Sequence, residues 1–392
     1  DSLGYMYLKS IDIEKMPLDD PNIFQMLAHG DTIGIFQLES PGMQKLLRNL
    51  KPDYFEDIIA VNALYRPGPL EGGMVDQFIN RKHGREEIEY PFKELESILK
   101  ETYGIIVYQE QVQRIASTLA GYSMGEADLL RRAMGKKKAK EMEEQKARFL
   151  DGAQKNGHDL KRADELFELM AKFAGYGFNK AHAAVYAFNA YVTAYLKYYY
   201  PVEFLSSLLT SKMNKDFDSS ELYISDALAH GIKLLPPDVN ESVLLFEPRG
   251  KAIRFGFGGI KNVGSASISA IMEERGTNGL FKSFFDFCFR VDTRKVNKKT
   301  IECLVKAGAF DCFGIGRGLL YSNIDKFMDE AEHARKEKES GQFNLFGDAT
   351  KTGKNDFDIL DKNRSTWTKA ELLSYEKEIV GFYVSSHPME VY

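Results

Sequence analysis

From Lys161 the chain reads KRADELFELMAKFAGYG, and Ala163, Leu166, Phe167, Met170, Phe173 and Ala174 recur at three- and four-residue spacing. Such spacing makes one side of a 3.6-residue spiral apolar and the other polar, which no strand satisfies, so a helix is required here, ended by the glycines that follow. An Ala- and Tyr-rich segment from Ala181 to Tyr200 continues as a second helix and stops at Pro201. Val107–Ala120 and Lys136–Lys155 read as helices too, the latter so charged that most of it faces water. Strand-like runs are short, Ile253–Phe257 being the clearest. The expected fold is mainly α, with the residues before the first clear break forming one large body.

That break is LLPPDVN, Leu234–Asn240, because two adjacent prolines cannot sit inside a helix. Beyond it the texture changes, with glycines at 256, 258, 259 and 264. Near Glu337, KEKESGQ and then GDATKTGKND carry little apolar content and read as a linker. The expected segments are therefore 1–235, 236–315, 316–355 and 356–392. A length of 392 residues is too great for one average domain, which fits this division. The three cysteines, Cys288, Cys303 and Cys312, contain no CxxC pair. They point away from a disulfide framework or a zinc site and toward a reducing compartment. No apolar run is long enough to cross a bilayer and no leader pattern is present, so a cytoplasmic location with no membrane partner is expected.

Against a net charge of −5, LLRRAMGKKKAK, Leu129–Lys140, holds six basic residues and no acid. Read alone it is either a solvated helix face or a local grip for phosphate. AGYGFNKAH, Ala174–His182, places Lys180 and His182 at the start of a helix behind a turn carrying Tyr176 and Phe178. Unpaired N–H groups, a lysine and an imidazole suit a triphosphate, and the rings suit a base or sugar. The alternative is a helix–loop–helix corner whose aromatics fill the core. GIKNVG, Gly259–Gly264, has the form of a Gly-flanked turn between helices, and KAGAF, Lys306–Phe310, of a second copy. Such turns offer backbone N–H groups to a phosphate oxygen, with Lys261, Arg294, Lys295, Lys298 and Lys299 adding a salt-dependent attraction. The alternative for each is an ordinary C-cap glycine. GFGGIKNVG is not a dinucleotide fingerprint, because its third glycine is misplaced and no βαβ pattern surrounds it; no Walker-type loop is present either.

RPGPL (Arg66–Leu70), YGIIVYQEQV (Tyr103–Val112), LLRRAMGKKK (Leu129–Lys138) and FAGYGFNKAHAAVYA (Phe173–Ala187), in that order, resemble the fingers region of bacterial replicative DNA polymerase III alpha subunits, the C-family polymerases. The resemblance runs from about Pro17 to the C-terminus. It implies a helical fingers domain, then a tandem helix-hairpin-helix module and a flexible linker, in a DNA-directed DNA polymerase. It further implies that Arg131 and Arg132 meet the triphosphate of an incoming dNTP and that Lys136, Lys137 and Lys138 attract nucleotide and template. Tyr176, Phe178, Lys180 and His182 would lie beside sugar, base and phosphate, and Arg66 on the same surface. Arginine forks onto phosphate oxygens better than lysine, so Arg131 and Arg132 form the expected core of the grip.

Nucleotidyl transfer needs carboxylates that hold two Mg²⁺ ions. The resemblance implies that these come from a palm domain before the fingers, as two aspartates one residue apart and a third later. Asp19 and Asp20 are adjacent, so on a strand they would face opposite sides. Asp53, Glu56 and Asp57 read as an acidic first-turn cap. No catalytic or metal-ligating residue is therefore expected in this chain. By itself it is expected to be inactive, with Mg²⁺ bound by the parent polymerase.

GQFNLFG, Gly341–Gly347, lies in the polar linker, and Gln342, Leu345 and Phe346 resemble the short peptide with which bacterial polymerases bind the sliding clamp. Two large apolar side chains can enter a partner's pocket while the glutamine fixes register. The expected partners are thus primer-template DNA, the sliding clamp and other replicase subunits, among them a proofreading exonuclease and a clamp-loader component. Trp367 and SSHPM are expected to anchor a small helical subdomain at the C-terminus.

Overall fold

The computed structural model describes residues 12–136, 139–174, 177–213, 217–339, 356–363 and 366–385. Helices dominate it, and the chain forms two compact units, Asp1–Tyr199 and Tyr200–Tyr392.

The first unit contains α1 (Pro21–Ala28), α2 (Pro41–Leu50), α3 (Phe55–Leu64), α4 (Pro67–Glu71), α5 (Met74–Lys82), α6 (Glu96–Leu99), α7 (Gln109–Ala120), α8 (Met124–Lys136), α9 (Ala139–Lys155), α10 (Leu160–Ala174) and α11 (Lys180–Tyr199). Prolines open α1, α2 and α4 at positions where a missing N–H costs nothing. Its side chains bury into two separate cores. One gathers Ile23, Leu27, Leu47, Ile58 and Phe78 around Ala183, Ala187, Ala190, Tyr191 and Ala194 of α11. The small residues of α11 let α3 approach closely.

The other core joins α6 to α10. The stripe expected from Ala163 to Phe173 is buried there, against Ile115, Leu119, Leu130 and Phe149. Each fully buried Phe or Leu of this stripe contributes on the order of 1.5–3 kcal/mol relative to exposure.

An extended crossover, residues 105–108, runs between the cores; its first three residues alternate between them, and Tyr108 joins Val107 in the first. Ile105 and Val107 enter the first core and Ile106 the second, as the two-residue period of a strand dictates. This crossover corrects the expected helix start at Val107. The Gln111 side chain accepts the backbone N–H groups of Val107 (2.8 Å) and Tyr108 (2.9 Å) and donates to Thr102 Oγ1 (2.8 Å). It holds these residues extended, and α7 begins only at Gln109. The run read as one helix from Lys136 belongs to two, α8 ending at Lys136 and α9 starting at Ala139.

The second unit opens with α12 (Pro201–Lys212) and α13 (Phe217–Ala229). A small sheet follows, of β1 (Lys233–Leu235), β2 (Glu247–Arg249) and β3 (Ala252–Arg254). Its order is β1-β3-β2, with β1 parallel and β2 antiparallel to β3. The expected strand from Ile253 to Phe257 is thus shifted: Phe257 already lies in a 3₁₀ turn. After it come α14 (Ser265–Asn278), α15 (Phe284–Arg290), α16 (Lys298–Ala307), α17 (Arg317–Glu339), α18 (Asp356–Ile359) and α19 (Lys369–Val380). Phe284 meets Phe310 and Phe327 edge-on at ring separations of 4.8 and 5.0 Å, forming the centre of this core. Asp356, reaching back across the linker, accepts the N–H groups of Phe284 (2.8 Å) and Phe285 (2.9 Å) and so closes the first turn of α15.

Candidate functional site

In the first unit, α7 begins where the crossover meets the turn before α11. Tyr108 and Phe178 form a parallel bridge, and the Gln109 N–H donates to the Phe178 carbonyl at 2.9 Å. The Gln109 side chain then works in two directions. Its Nε2 donates to Gly177 O (2.9 Å), and its Oε1 accepts Arg131 Nη1 (3.2 Å) from α8. A Cβ on Gly177 would stand 3.2 Å from Gln109 Cγ and 2.9 Å from the Phe173 ring, so the turn passes where glycine leaves room.

Arg131 and Arg132 are thereby brought to the α11 turn from one side. Arg131 also donates from Nε (3.0 Å) and Nη2 (2.8 Å) to Asp128 Oδ1, and Arg132 Nε lies 2.8 Å from Asp128 Oδ2. The hydrogen bonds from Arg131, then the nearby charge of both guanidiniums, hold the Asp128 carboxyl below its ordinary range. Arg66 reaches the turn from the other side: its guanidinium stacks 4.4 Å above the Phe178 ring, and burial lowers its pKa. Phe178, His182 and Tyr186 form a run of rings, with centroids 5.3 and 4.4 Å apart. A cavity of about 480 Å³ opens beside them, lined by Gln37, Ser40, Tyr65, Arg66, Phe178 and Tyr186. Tyr186 went unnoticed in the sequence, although its four-residue spacing from His182 was the available signal.

The start of α11 departs from the sequence reading in one respect. Its first N–H, that of Lys180, is already met by Glu110 Oε2 at 3.0 Å, and Glu110 Oε1 accepts from Asn179 Nδ2 at 2.7 Å. Asn179 Oδ1 in turn accepts the His182 N–H at 2.8 Å. Lys180 Nζ pairs with Glu101 at 2.5 Å and lies 5.5 Å from the centre of the Tyr108 ring. The first N–H of α11 is thus taken up by a protein carboxylate. Tyr176, Lys137, Lys138 and the side chain of Lys136 lie outside the described residues.

Asp20, Asp53 and Asp57 are engaged by the protein itself. Asp20 caps α1 through Asn22 N (2.9 Å) and accepts the Tyr199 hydroxyl at 2.6 Å. Asp57 accepts the N–H groups of Asp53 (3.1 Å) and Tyr54 (3.3 Å), a first-turn cap, and is paired with Lys82 at 2.8 Å; Lys82 also holds Asp53. Within this unit no three carboxylate, histidine or cysteine groups among the described residues could share a cation.

In the second unit the first Gly-flanked turn is preceded by β3 and one 3₁₀ turn, Phe257–Gly259, rather than by a full helix. Of its two glycines only Gly259 answers to packing: a Cβ there would lie 2.8 Å from the Phe255 ring, whereas nothing stands within 4 Å of one on Gly264. The Lys261 N–H donates to Ile379 O of α19 at 2.9 Å, and Gly264 caps α14. In KAGAF, Gly308 is a left-handed C-cap at φ +86°, and the Arg317 guanidinium occupies the space a Cβ would need. Arg294, Lys295, Lys298 and Lys299 are all exposed around the start of α16. Arg294 pairs with Asp292 (3.0 Å), Lys298 with Asp325 (2.5 Å) and Lys299 with Glu302 (3.5 Å). Pairs this exposed are weak and exchange readily for phosphates. The clamp-type residues Gln342, Leu345 and Phe346 lie outside the described residues. No helix among the described residues is long and apolar enough to cross a membrane.

Comparison with known proteins agrees with this geometry. Residues 3–157 match the family model of the bacterial DNA polymerase III alpha subunit finger domain, and residues 231–320 match a helix-hairpin-helix motif. Similar curated proteins include three named DNA polymerase III subunit alpha, of which that of Campylobacter jejuni is 47% identical over 98% of this chain and 32% of its own length. The Haemophilus influenzae protein is 46% identical over 97% of this chain and 33% of its own, and the Escherichia coli protein 43% over 97% and 33%. The chain thus spans about a third of the length of the curated relatives it matches.

Proposed function

On the premise that this chain carries the finger domain and helix-hairpin-helix motif of the bacterial DNA polymerase III alpha family, we propose that it is the nucleotide- and DNA-gripping part of a template-directed DNA polymerase. The observation that carries the reading is the continuous set of contacts from Arg132 through Asp128, Arg131 and Gln109 to Gly177 and Phe178. One cationic helix and one aromatic turn are held as a single surface, which suits a triphosphate at one end and a sugar or base at the other. Arg131 and Arg132 take the triphosphate, aided by Lys136, Lys137 and Lys138. Arg66, Tyr176, Phe178, Lys180 and His182 line the sugar and base side. Mg²⁺, when bound in the parent protein, supplies the activation of the primer hydroxyl and steadies the leaving pyrophosphate. In this proposal its ligands belong to a palm domain of the parent protein, and the chain by itself is inactive. The proposed setting is the cytoplasm.

Lys261, Arg294, Lys295, Lys298 and Lys299, with the turn Gly259–Gly264, bind duplex DNA through its phosphates. Gln342, Leu345 and Phe346 bind the sliding clamp, and a proofreading exonuclease and a clamp-loader component complete the assembly. A second reading, a non-catalytic DNA-binding module tethered to the clamp, draws on the exposed cations around α16 alone.

Fluorescence anisotropy with primer-template DNA and with a labelled dNTP separates the two. Under the first reading Arg131→Ala with Arg132→Ala abolishes dNTP binding, and DNA affinity falls steeply with salt. Unchanged dNTP binding in that variant, with DNA binding retained, leaves only the second reading. For the clamp, replacing Gln342, Leu345 and Phe346 with alanine removes retention on an immobilised clamp without changing DNA affinity. Retention equal to wild type refutes that assignment.

A further inference from the structure

Asp128 is the one carboxylate shared by both arginines of α8, and it treats them differently. Its Oδ1 accepts Arg131 Nε (3.0 Å), Arg131 Nη2 (2.8 Å) and Gln113 Nε2 (3.2 Å). With Nη1 given to Gln109, all three nitrogens of Arg131 are committed to the protein. Arg132 pairs with the same carboxylate, its shortest approach being Nε to Asp128 Oδ2 at 2.8 Å, and no terminal nitrogen of Arg132 donates a hydrogen bond among the described residues. Its side chain is 61% exposed against 27% for Arg131. The two terminal nitrogens of Arg132 are therefore left to solvent as a fork whose base is fixed. That edge can meet two phosphate oxygens at once, and a side chain already held at Nε loses less rotamer freedom when it does so.

The carboxylate also has an opposing effect. A negative charge this close to the fork weakens the attraction for phosphate. As a simple competitor, Asp128 would lower affinity; as a holder of the fork, it would raise it. The asymmetry of its contacts favours the second, because a competitor would be expected to cover the outer edge of Arg132, and here the closest approach is to Nε.

We propose that Asp128 is a positioning residue for the phosphate grip, fixing Arg132 so that its terminal nitrogens form a ready fork for a polyphosphate. The proposal rests on the reading of Arg132 as a triphosphate-binding residue.

The test is isothermal titration of the full 392-residue chain with dATP and with inorganic tripolyphosphate, with circular dichroism melting of each variant. Asp128→Ala makes the surface more positive by one charge, yet is expected to weaken both ligands by about tenfold. Asp128→Glu, still within reach of Arg132 one turn on, restores most of the loss. In an Arg132→Ala background, Asp128→Ala has no further effect. Tighter binding by Asp128→Ala overturns the proposal in favour of a competing anion. An equal loss in the Arg132→Ala background also overturns it, since the effect then runs through Arg131 or the fold and not through Arg132. If wild type binds and Arg132→Ala weakens binding while Asp128→Ala changes nothing, only the role of Asp128 fails. If wild type does not bind, or Arg132→Ala is silent, the nucleotide reading itself fails and this role with it.

Discussion

Glu110 of α7 accepts the backbone N–H of Lys180 at 3.0 Å, so the first turn of α11 is closed by a carboxylate from a helix seventy residues earlier in the chain. The same side chain takes Asn179 Nδ2 at 2.7 Å. A negative charge at a helix start is favoured by the macrodipole as well as by the hydrogen bond. Glu110→Gln keeps the shape and removes the charge. It is expected to cost about 1 kcal/mol of stability, read as a lowered urea midpoint. It should also open the helix start to an outside anion, so sulfate stabilises the variant more than wild type. Equal sulfate effects on both proteins would show that Glu110 does not occupy an anion position.

Lys82 is 5% exposed at its side chain and lies between Asp53 and Asp57. Burial disfavours its charge, but hydrogen bonds and attraction from the two carboxylates outweigh burial and hold its pKa above the ordinary lysine value of 10.5. A pKa raised on folding gives stability that is complete below the unfolded value and is lost as pH rises through the folded one. Wild type should therefore lose stability in alkali above about 10.5 more steeply than Lys82→Met does. At neutral pH Lys82→Met leaves Asp57 buried without its partner, at a cost of about 3–5 kcal/mol. Chemical denaturation of both proteins from pH 7 to 11 checks both statements.

How much of this could be read in advance depended on whether the determinant was local. The stripe from Ala163 to Phe173 is buried as its spacing required, because a helix period needs nothing outside the segment. The start of α7 was misplaced because Gln111, bonding back to Val107 and Tyr108, overrides an apolar run that suits a helix equally well. Gly259 and Gly264 carried a phosphate-turn pattern, yet Gly259 meets the rings of Phe255 and Phe246, which only the fold brings near, while nothing stands within 4 Å of a Cβ on Gly264. At the site, Arg131 and Arg132 stood out by charge, and Asp128 was available three and four positions earlier once α8 is taken as a helix. Gln109 and Glu110 were not legible, since their partners Gly177 and Lys180 lie across the chain.

Glycine inside a helix is justified only where something stands in the way of a side chain. Gly152 in α9 meets that condition: a Cβ there would be 2.2 Å from the Ala120 carbonyl oxygen, at the end of α7. Gly135 in α8 does not, having nothing within 4 Å of that position. Gly135→Ala is therefore expected to stabilise by about 0.5–1 kcal/mol through helix propensity. Gly152→Ala gains the same propensity, but must push α9 off α7 and is expected to destabilise by about 1–3 kcal/mol. Thermal melts of the two variants should move in opposite directions.

Arg317 and Glu376 form the buried link between α17 and α19, 2.8 Å apart, with Glu376 fully buried. Arg317 also holds Asp311 at 2.6 Å, and Glu376 accepts the Ser385 N–H at 2.9 Å and its hydroxyl at 2.7 Å. Every oxygen of Glu376 is thus in use, and its removal leaves the buried Arg317, 6% exposed, with Asp311 as its one carboxylate partner among the described residues and deprives the Ser385 donors of theirs. Glu376→Ala should then destabilise the second unit by about 3 kcal/mol, more than the burial of one methylene chain could explain. The single tryptophan makes this measurable in that unit alone, because Trp367 packs against Tyr375 at 4.5 Å and Tyr321 at 5.3 Å. The urea midpoint followed by Trp367 fluorescence should fall in Glu376→Ala, while Lys82→Met, in the first unit, leaves it in place. A fluorescence midpoint shared by both variants would mean that the two units unfold as one.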